Sequence, residues 1–212
     1  MFPGPALRLL ARLDRRLIWR LPAVGNKVFP TFDDGPDPQV TPWVLDTLAA
    51  HGAQATFFCT GRQAERHPAL MDRIRREGHA VGHHTWSHAD GWRTSTRAWQ
   101  RDVLRAAGHI GGELFRPPYG HLPLGQTRPL CKRFRVVMWD VMGYDFKPGR
   151  SGEACARHVL GQVRPGSIIV LHDNAKSATC LRGALPTILA GLRTKGLQPA
   201  PLDDGVTDRS QR

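Results

Sequence analysis

Two adjacent carboxylates, Asp33 and Asp34, close the apolar run 28–32 and are followed at once by Gly35-Pro36. Like charges side by side are costly unless a cation or a shared proton relieves them. The Gly-Pro turn aims both into one loop, although Asp, Gly and Pro are also ordinary turn residues. A second cluster, Gly82-His83-His84-Thr85-Trp86-Ser87-His88, sets His84 and His88 four residues apart. One helical turn across that spacing predicts both imidazoles on one face, able to chelate a divalent metal. Joined by Asp34 they offer two nitrogens and one oxygen, with coordination positions left for water or substrate. His83, one residue out of register, should point away. The remaining pieces are Arg116-Pro117-Pro118-Tyr119-Gly120, Trp139-Asp140 with Asp145, and Val170-Leu171-His172-Asp173. A histidine ending a strongly apolar strand is partly desolvated, where a neighbouring carboxylate can tune it as an acid. Two histidines and one carboxylate also make the ligand set of non-haem iron oxygenases. Asp33 and His172 argue for hydrolysis instead, which needs an acid and a base where oxygen activation does not.

The elements that must position these residues alternate. Residues 28–32, 55–59, 79–82, 113–115, 135–139, 167–171 and 197–202 read as strands. Helices are predicted from Thr41-Pro42 to Gly52, with a capping hydroxyl and proline at the first position. Others run from Pro68 towards Gly78 and over 94–107, 153–163 and 181–192. Strands alternating with helices imply βα units and a mainly parallel sheet or barrel, whose sites gather where strand ends meet loops. The candidate residues fall at those ends. Pro30 removes a ladder donor inside the first strand, which predicts an edge, a bulge or an open seam there.

At 212 residues, with 41% hydrophobic and 23% charged residues, the chain suits one well-buried domain rather than a disordered polymer. No run approaches the length of a membrane-spanning helix. Cys59, Cys131, Cys155 and Cys180 are scattered with no CxxC, which excludes a zinc ribbon and a disulfide mini-domain and predicts buried thiols. A net charge of +12, carried mainly by arginine, attracts anionic polymers without choosing among them. No motif focuses it on nucleic acid. Residues 1–22 carry five Arg, and Leu9, Leu10, Leu13, Leu17 and Ile18 recur at helical spacing. A basic amphipathic helix is expected, packed on the domain or lying peripherally on an anionic membrane or cell wall. Arginines interrupt any apolar core there, so no signal peptide is read and a cytoplasmic or peripheral location is expected.

In order, TFDDGP, HTWSH, RPPYG, Trp139 with Asp145, and VLHD closely resemble the five-motif series of the polysaccharide deacetylases, the family 4 carbohydrate esterases with a NodB-type domain. The resemblance runs from about Lys27 to Leu202, and includes connecting text such as TPWVLDTLAAHGAQATFFCTG. It implies an α/β fold: a distorted (β/α) barrel forming a single domain over 27–202. Residues 1–26 form a basic segment before it and 203–212 a polar tail after it.

The resemblance also implies roles. Asp33 is the general base; Asp34, His84 and His88 are metal ligands. Arg116 holds Asp33, Tyr119 offers its backbone N–H to the oxyanion, and His172 is the general acid oriented by Asp145. Val170 and Leu171 wall the acyl pocket. The implied cofactor is a divalent metal, Zn²⁺ by default, with Co²⁺, Ni²⁺ or Fe²⁺ able to occupy the site. The implied partner is an N-acetylated glycan, peptidoglycan or a chitin-like oligosaccharide, deacetylated by a monomer in a shallow groove. The same centre could attack an O-acetyl ester or a small amide, whereas a non-catalytic glycan-binding homologue would be expected to lose Asp33 or His172. Pro30, His83, Met142 and Phe146 depart from the residues common in the family, and Phe146 bears on substrate preference.

Overall fold

The computed structural model describes residues 14, 16–22, 25–123 and 125–202. Its framework is a parallel sheet in the order β5-β4-β3-β2-β1-β7-β6, with β8 paired to β1. The strands are β1 (Lys27–Asp33), β2 (Thr56–Cys59), β3 (Ala80–His83), β4 (Leu114–Phe115), β5 (Arg135–Val136), β6 (Val141–Met142), β7 (Ile168–His172) and β8 (Gln198–Pro199). The helices between them are α1 (Thr41–Ala50), α2 (Gly61–Arg66), α3 (Pro68–Arg76), α4 (Thr96–Ile110), α5 (Thr127–Arg133), α6 (Gly152–Gln162) and α7 (Ala178–Thr194). The sheet curls into an incomplete barrel, as the alternation of strands and helices implies.

Strand alternation sorts the side chains into an inner and an outer set. Outside, Val28, Phe32, Phe57 and Leu171 join Val44, Leu48, Leu181 and Leu185 in the core between sheet and helices. Inside, Phe29, Phe58, Leu114 and Ile168 pack together with Val137 and Leu202. Because both faces of the strands are covered, they read as apolar runs rather than as alternating ones. Thr31 and Asp33 lie on the inner face with Phe29, so β1 delivers its first carboxylate into the mouth of the barrel.

Residues 16–22 are not helical but run through a turn and bends, with two isolated bridges. Ile18 bridges Val137 in parallel and Arg20 bridges Ser167 in antiparallel fashion. Further backbone bonds tie Ile18 to Val136 and Met138, and Leu21 to Gly166. Leu17, Ile18 and Leu21 are all buried. This stretch fills the seam between the β5 and β7 sides of the curled sheet. Its apolar residues serve that closure, not a helical stripe; the rest of the expected amphipathic helix and the polar tail lie outside the described residues.

Other expectations also shift. β1 lies inside the sheet, not at its edge, and Pro30 falls between the residues paired with β8 (Lys27 and Val28) and those paired with β2 (Thr31–Asp33). The donor that proline lacks is therefore missing at the change from one partner strand to the next. The strand expected over 135–139 is a strand only at Arg135–Val136, with Val137 in an isolated bridge to Ile18, and β6 follows separately. The hydroxyl of Thr41 does not cap α1 but is drawn inward by a buried aspartate. All four cysteines are buried and none is in a disulfide.

Candidate active site

Asp33 and Asp34 are separated by backbone geometry. Asp33 ends β1 facing inward and buried, while Asp34 takes a left-handed conformation with φ 81° that turns its carboxylate towards the loop after β3. Arg116, fully buried just after β4, donates from Nη1 to Asp33 Oδ1 at 2.7 Å and to Thr31 Oγ1 at 2.6 Å. Its Nη2 and Nε donate to the carbonyls of Met138 and Val137 at 2.9 and 3.2 Å, and the guanidinium lies 4.1 Å from the centre of the Phe58 ring. Burial lowers the Arg116 pKa, opposed by the Asp33 carboxylate. A buried pair bonded this completely holds one geometry, and removing one partner strands the other charge at a cost of about 3–5 kcal/mol.

Asp34 Oδ1 lies 3.0 Å from His88 Nε2 and 3.6 Å from His84 Nε2. One ligand atom from each of the three residues lies within 4.8 Å of the others, the one such metal-ligating group among the described residues. The HxxxH spacing does not act through a helical turn. The segment after β3 is irregular, and left-handed residues at Thr85 (φ 61°) and His88 (φ 60°) fold His88 back towards His84. The Nδ1 of His84 pairs with the carbonyl of Arg116 at 2.7 Å, which places the ring proton there and leaves the Nε2 lone pair towards Asp34. Burial lowers the His84 pKa to about 4, keeping the ring neutral. Burial also works against charge on Asp34, but its contact with His88 and the charges of His172, His88 and His84 prevail and hold it below the usual carboxylate range. His83 points the other way, stacked on Phe115 and edge-on to Phe134.

His172, at the end of β7, is the register partner of Asp33 on the adjacent strand. Its Nδ1 meets Asp145 Oδ1 at 2.9 Å, and its backbone N–H donates to Asp145 Oδ2 at 2.8 Å. Burial opposes charge on the imidazole, but the fully paired Asp145, with Asp34 and Asp33, outweighs it and lifts the pKa to about 9. Phe146 stands edge-on to the same ring at 5.2 Å. Tyr119 is left-handed at φ 60° in a single 3₁₀ turn, and its ring lies edge-on to His88 at 4.8 Å. Val170 shares the inner face with His172, two residues on. Leu171 does not line that face; it packs in the outer core.

Two further residues complete the frame: Asn174, which the sequence did not single out, and Asp173, which the VLHD motif includes but to which no role was given. Asn174 Nδ2 donates to Asp34 Oδ2 at 2.6 Å, and its own Oδ1 accepts from the Ser177 backbone at 2.9 Å. Asp173, fully buried, accepts from Gly35 N at 3.1 Å and from Thr41 Oγ1 at 2.6 Å. A Cβ on Gly35 would fall 2.2 Å from Asp173 Oδ2, so the glycine admits that carboxyl group beneath the Asp-Asp turn. The loop after β7 thus grips the loop after β1.

With this geometry in place, comparison with known proteins decides the family. Residues 22–132 match the family model described as polysaccharide deacetylase. The chain belongs to the polysaccharide deacetylase family. A peptidoglycan-N-acetylglucosamine deacetylase of Bacillus cereus is 37% identical over 177 residues, 78% of this chain and 63% of that protein. A chitooligosaccharide deacetylase of Azorhizobium caulinodans is 33% identical over 83% of this chain and 93% of its own length. The chain therefore spans under two thirds of the first relative and nearly all of the second. Among solved structures, the Bc1960 peptidoglycan N-acetylglucosamine deacetylase in complex with 4-naphthalen-1-yl-N-oxidanyl-benzamide superposes with a TM-score of 0.84 at 32% identity, covering 91% of this chain and 94% of that one.

In this member of the polysaccharide deacetylase family the Asp34, His84 and His88 donors fit a divalent ion. Asp34 Oδ1 is buried with no hydrogen-bond partner, although two imidazole nitrogens stand within 3.6 Å of it. An unpartnered buried carboxylate oxygen is costly, and a cation between these donors would relieve it.

Proposed function

We propose that the protein is a metal-dependent hydrolase that removes N-acetyl groups from amino-sugar units of a glycan, peptidoglycan or a chitin-like oligosaccharide, releasing acetate. The observation that carries this reading is the placement of an acid–base pair, Asp33 and His172, on adjacent strands beside the Asp34–His84–His88 donors. The named activities of the relatives support the substrate class. Zn²⁺ suits the one-oxygen, two-nitrogen donor set, with Co²⁺, Ni²⁺ or Fe²⁺ able to take its place.

When bound, the metal would polarise the amide carbonyl and make water more acidic. Asp33, fixed through Arg116, takes the proton from the attacking water. The backbone N–H of Tyr119 donates to the oxygen on which charge develops; one well-placed donor of this kind is worth about 3–4 kcal/mol in the transition state. His172, kept protonated by Asp145, passes its proton to the departing nitrogen, which cannot leave as an anion. Acetate and a free amino sugar result. Val170 contributes to the wall against which the acyl methyl group rests.

Acetate release from peptidoglycan and from N-acetylglucosamine oligomers tests the reading, using protein stripped of metal and then given Zn²⁺ or Co²⁺. Metal-restored release that disappears in Asp33→Asn supports it. Metal-independent release, or none from any glycan, overturns it.

A further inference from the structure

A row of aromatic rings that the chemistry above does not use runs outward from the metal-ligating group. The Tyr119 ring, next to His88, is followed by His121 at 5.6 Å. His121 in turn stacks flat on Trp92, with centroids 3.7 Å apart and planes 7° from parallel. Trp92 and Tyr119 are 44% and 55% exposed, and only Leu104 joins them as a large exposed hydrophobic residue among those described. Single exposed apolar residues are ordinary. Two exposed rings in one row that begins at a candidate metal ligand are not scattered.

The row is also rigid before anything binds. Trp92 Nε1 donates to the Leu122 carbonyl at 3.0 Å, and its backbone N–H donates to Asp90 Oδ1 at 2.9 Å. The same carboxylate oxygen meets His121 Nδ1 at 2.8 Å. A Cβ on Gly91 would lie 2.3 Å from the His121 carbonyl, so the glycine lets the loop bearing Trp92 close against the loop bearing His121. With one face of the indole covered by His121, the residue remains largely exposed. A flat, pre-positioned ring with little rotamer freedom left to lose is an efficient contact surface. A pyranose presents an apolar face of C–H groups that suits the electron-rich face of such a ring.

We infer that Trp92, backed by His121, which in turn adjoins Tyr119, is a stacking subsite for a sugar ring of the glycan beyond the unit being deacetylated. The inference rests on the deacetylase reading and deepens it: the protein would favour oligomers over a single amino sugar. Chemistry at the metal would then be served by binding contacts made one or more sugar units away.

The test measures kcat/KM for N-acetylglucosamine oligomers of one to five units with the Zn²⁺-loaded full chain, its Trp92→Ala variant and its Trp92→Phe variant. In parallel, the Trp92 ring signals of the unsubstituted protein are followed by NMR during titration with the same oligomers. Trp92→Ala should lose roughly five- to tenfold in kcat/KM on the longer oligomers, carried by KM, with the loss shrinking towards the monosaccharide. Trp92→Phe should recover part of it. Equal profiles for the Ala variant and the parent at every length overturn the subsite while leaving deacetylation standing. If the parent releases no acetate from any oligomer, the deacetylase reading fails and the titration alone decides. Length-dependent shifts of the Trp92 signals then support the subsite, and their absence overturns it. The titration also decides if Trp92→Ala does not fold.

Discussion

Asp33 and Asp34 are neighbours in sequence, yet the regions they enter are built differently. On the floor of the barrel mouth, formed by the ends of β1 and β7 with Arg116 just beyond β4, the groups proposed to handle protons are closed on by partners. Asp33 is bound by a fully buried Arg116, and His172 by Asp145 through both ring and backbone. On the loop side, Asp34 Oδ1 faces two imidazole nitrogens without a hydrogen bond. Groups that must hold or give a proton at one position gain from fixed partners, whereas ligand atoms must stay unpaired until a cation arrives. The contrast recurs between adjacent histidines. His84 has one nitrogen anchored on a carbonyl and the other free for a metal; His83 has neither nitrogen bonded.

The comparison can be broken most forcefully at Asp33. Asp33→Asn keeps the shape but removes the proposed base, and kcat should fall about 10²–10⁴-fold while Zn²⁺ affinity, read by chelator competition, stays close to that of the parent. A matching collapse of affinity would show the two regions to be one unit. Next comes Asn174→Ala, which withdraws the donor to Asp34 Oδ2. Partners of ligating carboxylates commonly carry a factor of about 10–100 in metal affinity, so Zn²⁺ binding should weaken by that order, with any fall in kcat recovered at saturating metal. Unchanged affinity would reduce Asn174 to a bystander.

A smaller change is expected in the titration of His172. In metal-free protein, NMR should place it near 9. The sign follows from the charges: Asp145 favours the imidazolium more than burial disfavours it, so the proton is retained until pH rises through that value. Asp145→Asn removes the largest favourable charge and should bring the midpoint down towards the ordinary histidine value of about 6.5. The alkaline limb of the activity profile should move the same way. A midpoint that does not move would mean that Asp145 only orients the ring. The smallest effect is expected at His83. Burial lowers its pKa to about 3, so it stays neutral, with both nitrogens unpaired between Phe115 and Phe134. His83→Leu should raise unfolding stability by about 1 kcal/mol, since an unsatisfied buried polar group is removed. Loss of stability in denaturant titration would show that the ring packs more productively than its nitrogens cost.

Much of the site could be read without coordinates. Motif order and residue type singled out Asp33, Asp34, His84, His88, Arg116, Asp145 and His172, because each sits at the end of a strand or in the loop after it and carries a group of obvious chemistry. The route by which they meet was read less well. The four-residue spacing of His84 and His88 suggested a helical turn, but two left-handed residues bring the rings together in a loop. Asn174 escaped notice because its partner, Asp34, is 140 residues away, and nothing in its own neighbourhood marks it.

The sequence by itself determined the alternation of strands and helices, the apolar runs buried on both faces, and the set of chemically competent residues, since these depend on local pattern and side-chain type. Tertiary structure alone decided which strand adjoins which. It turned residues 16–22 from an expected amphipathic helix into the closure of the barrel seam, where Ile18 and Arg20 find backbone partners at Val137 and Ser167. It sent Leu171, expected to wall the acyl pocket, outward into the core and left Val170 facing in. It also stacked His121 under Trp92. Each of these outcomes depends on a partner far away in the chain, and local periodicity cannot register a partner that only folding brings near.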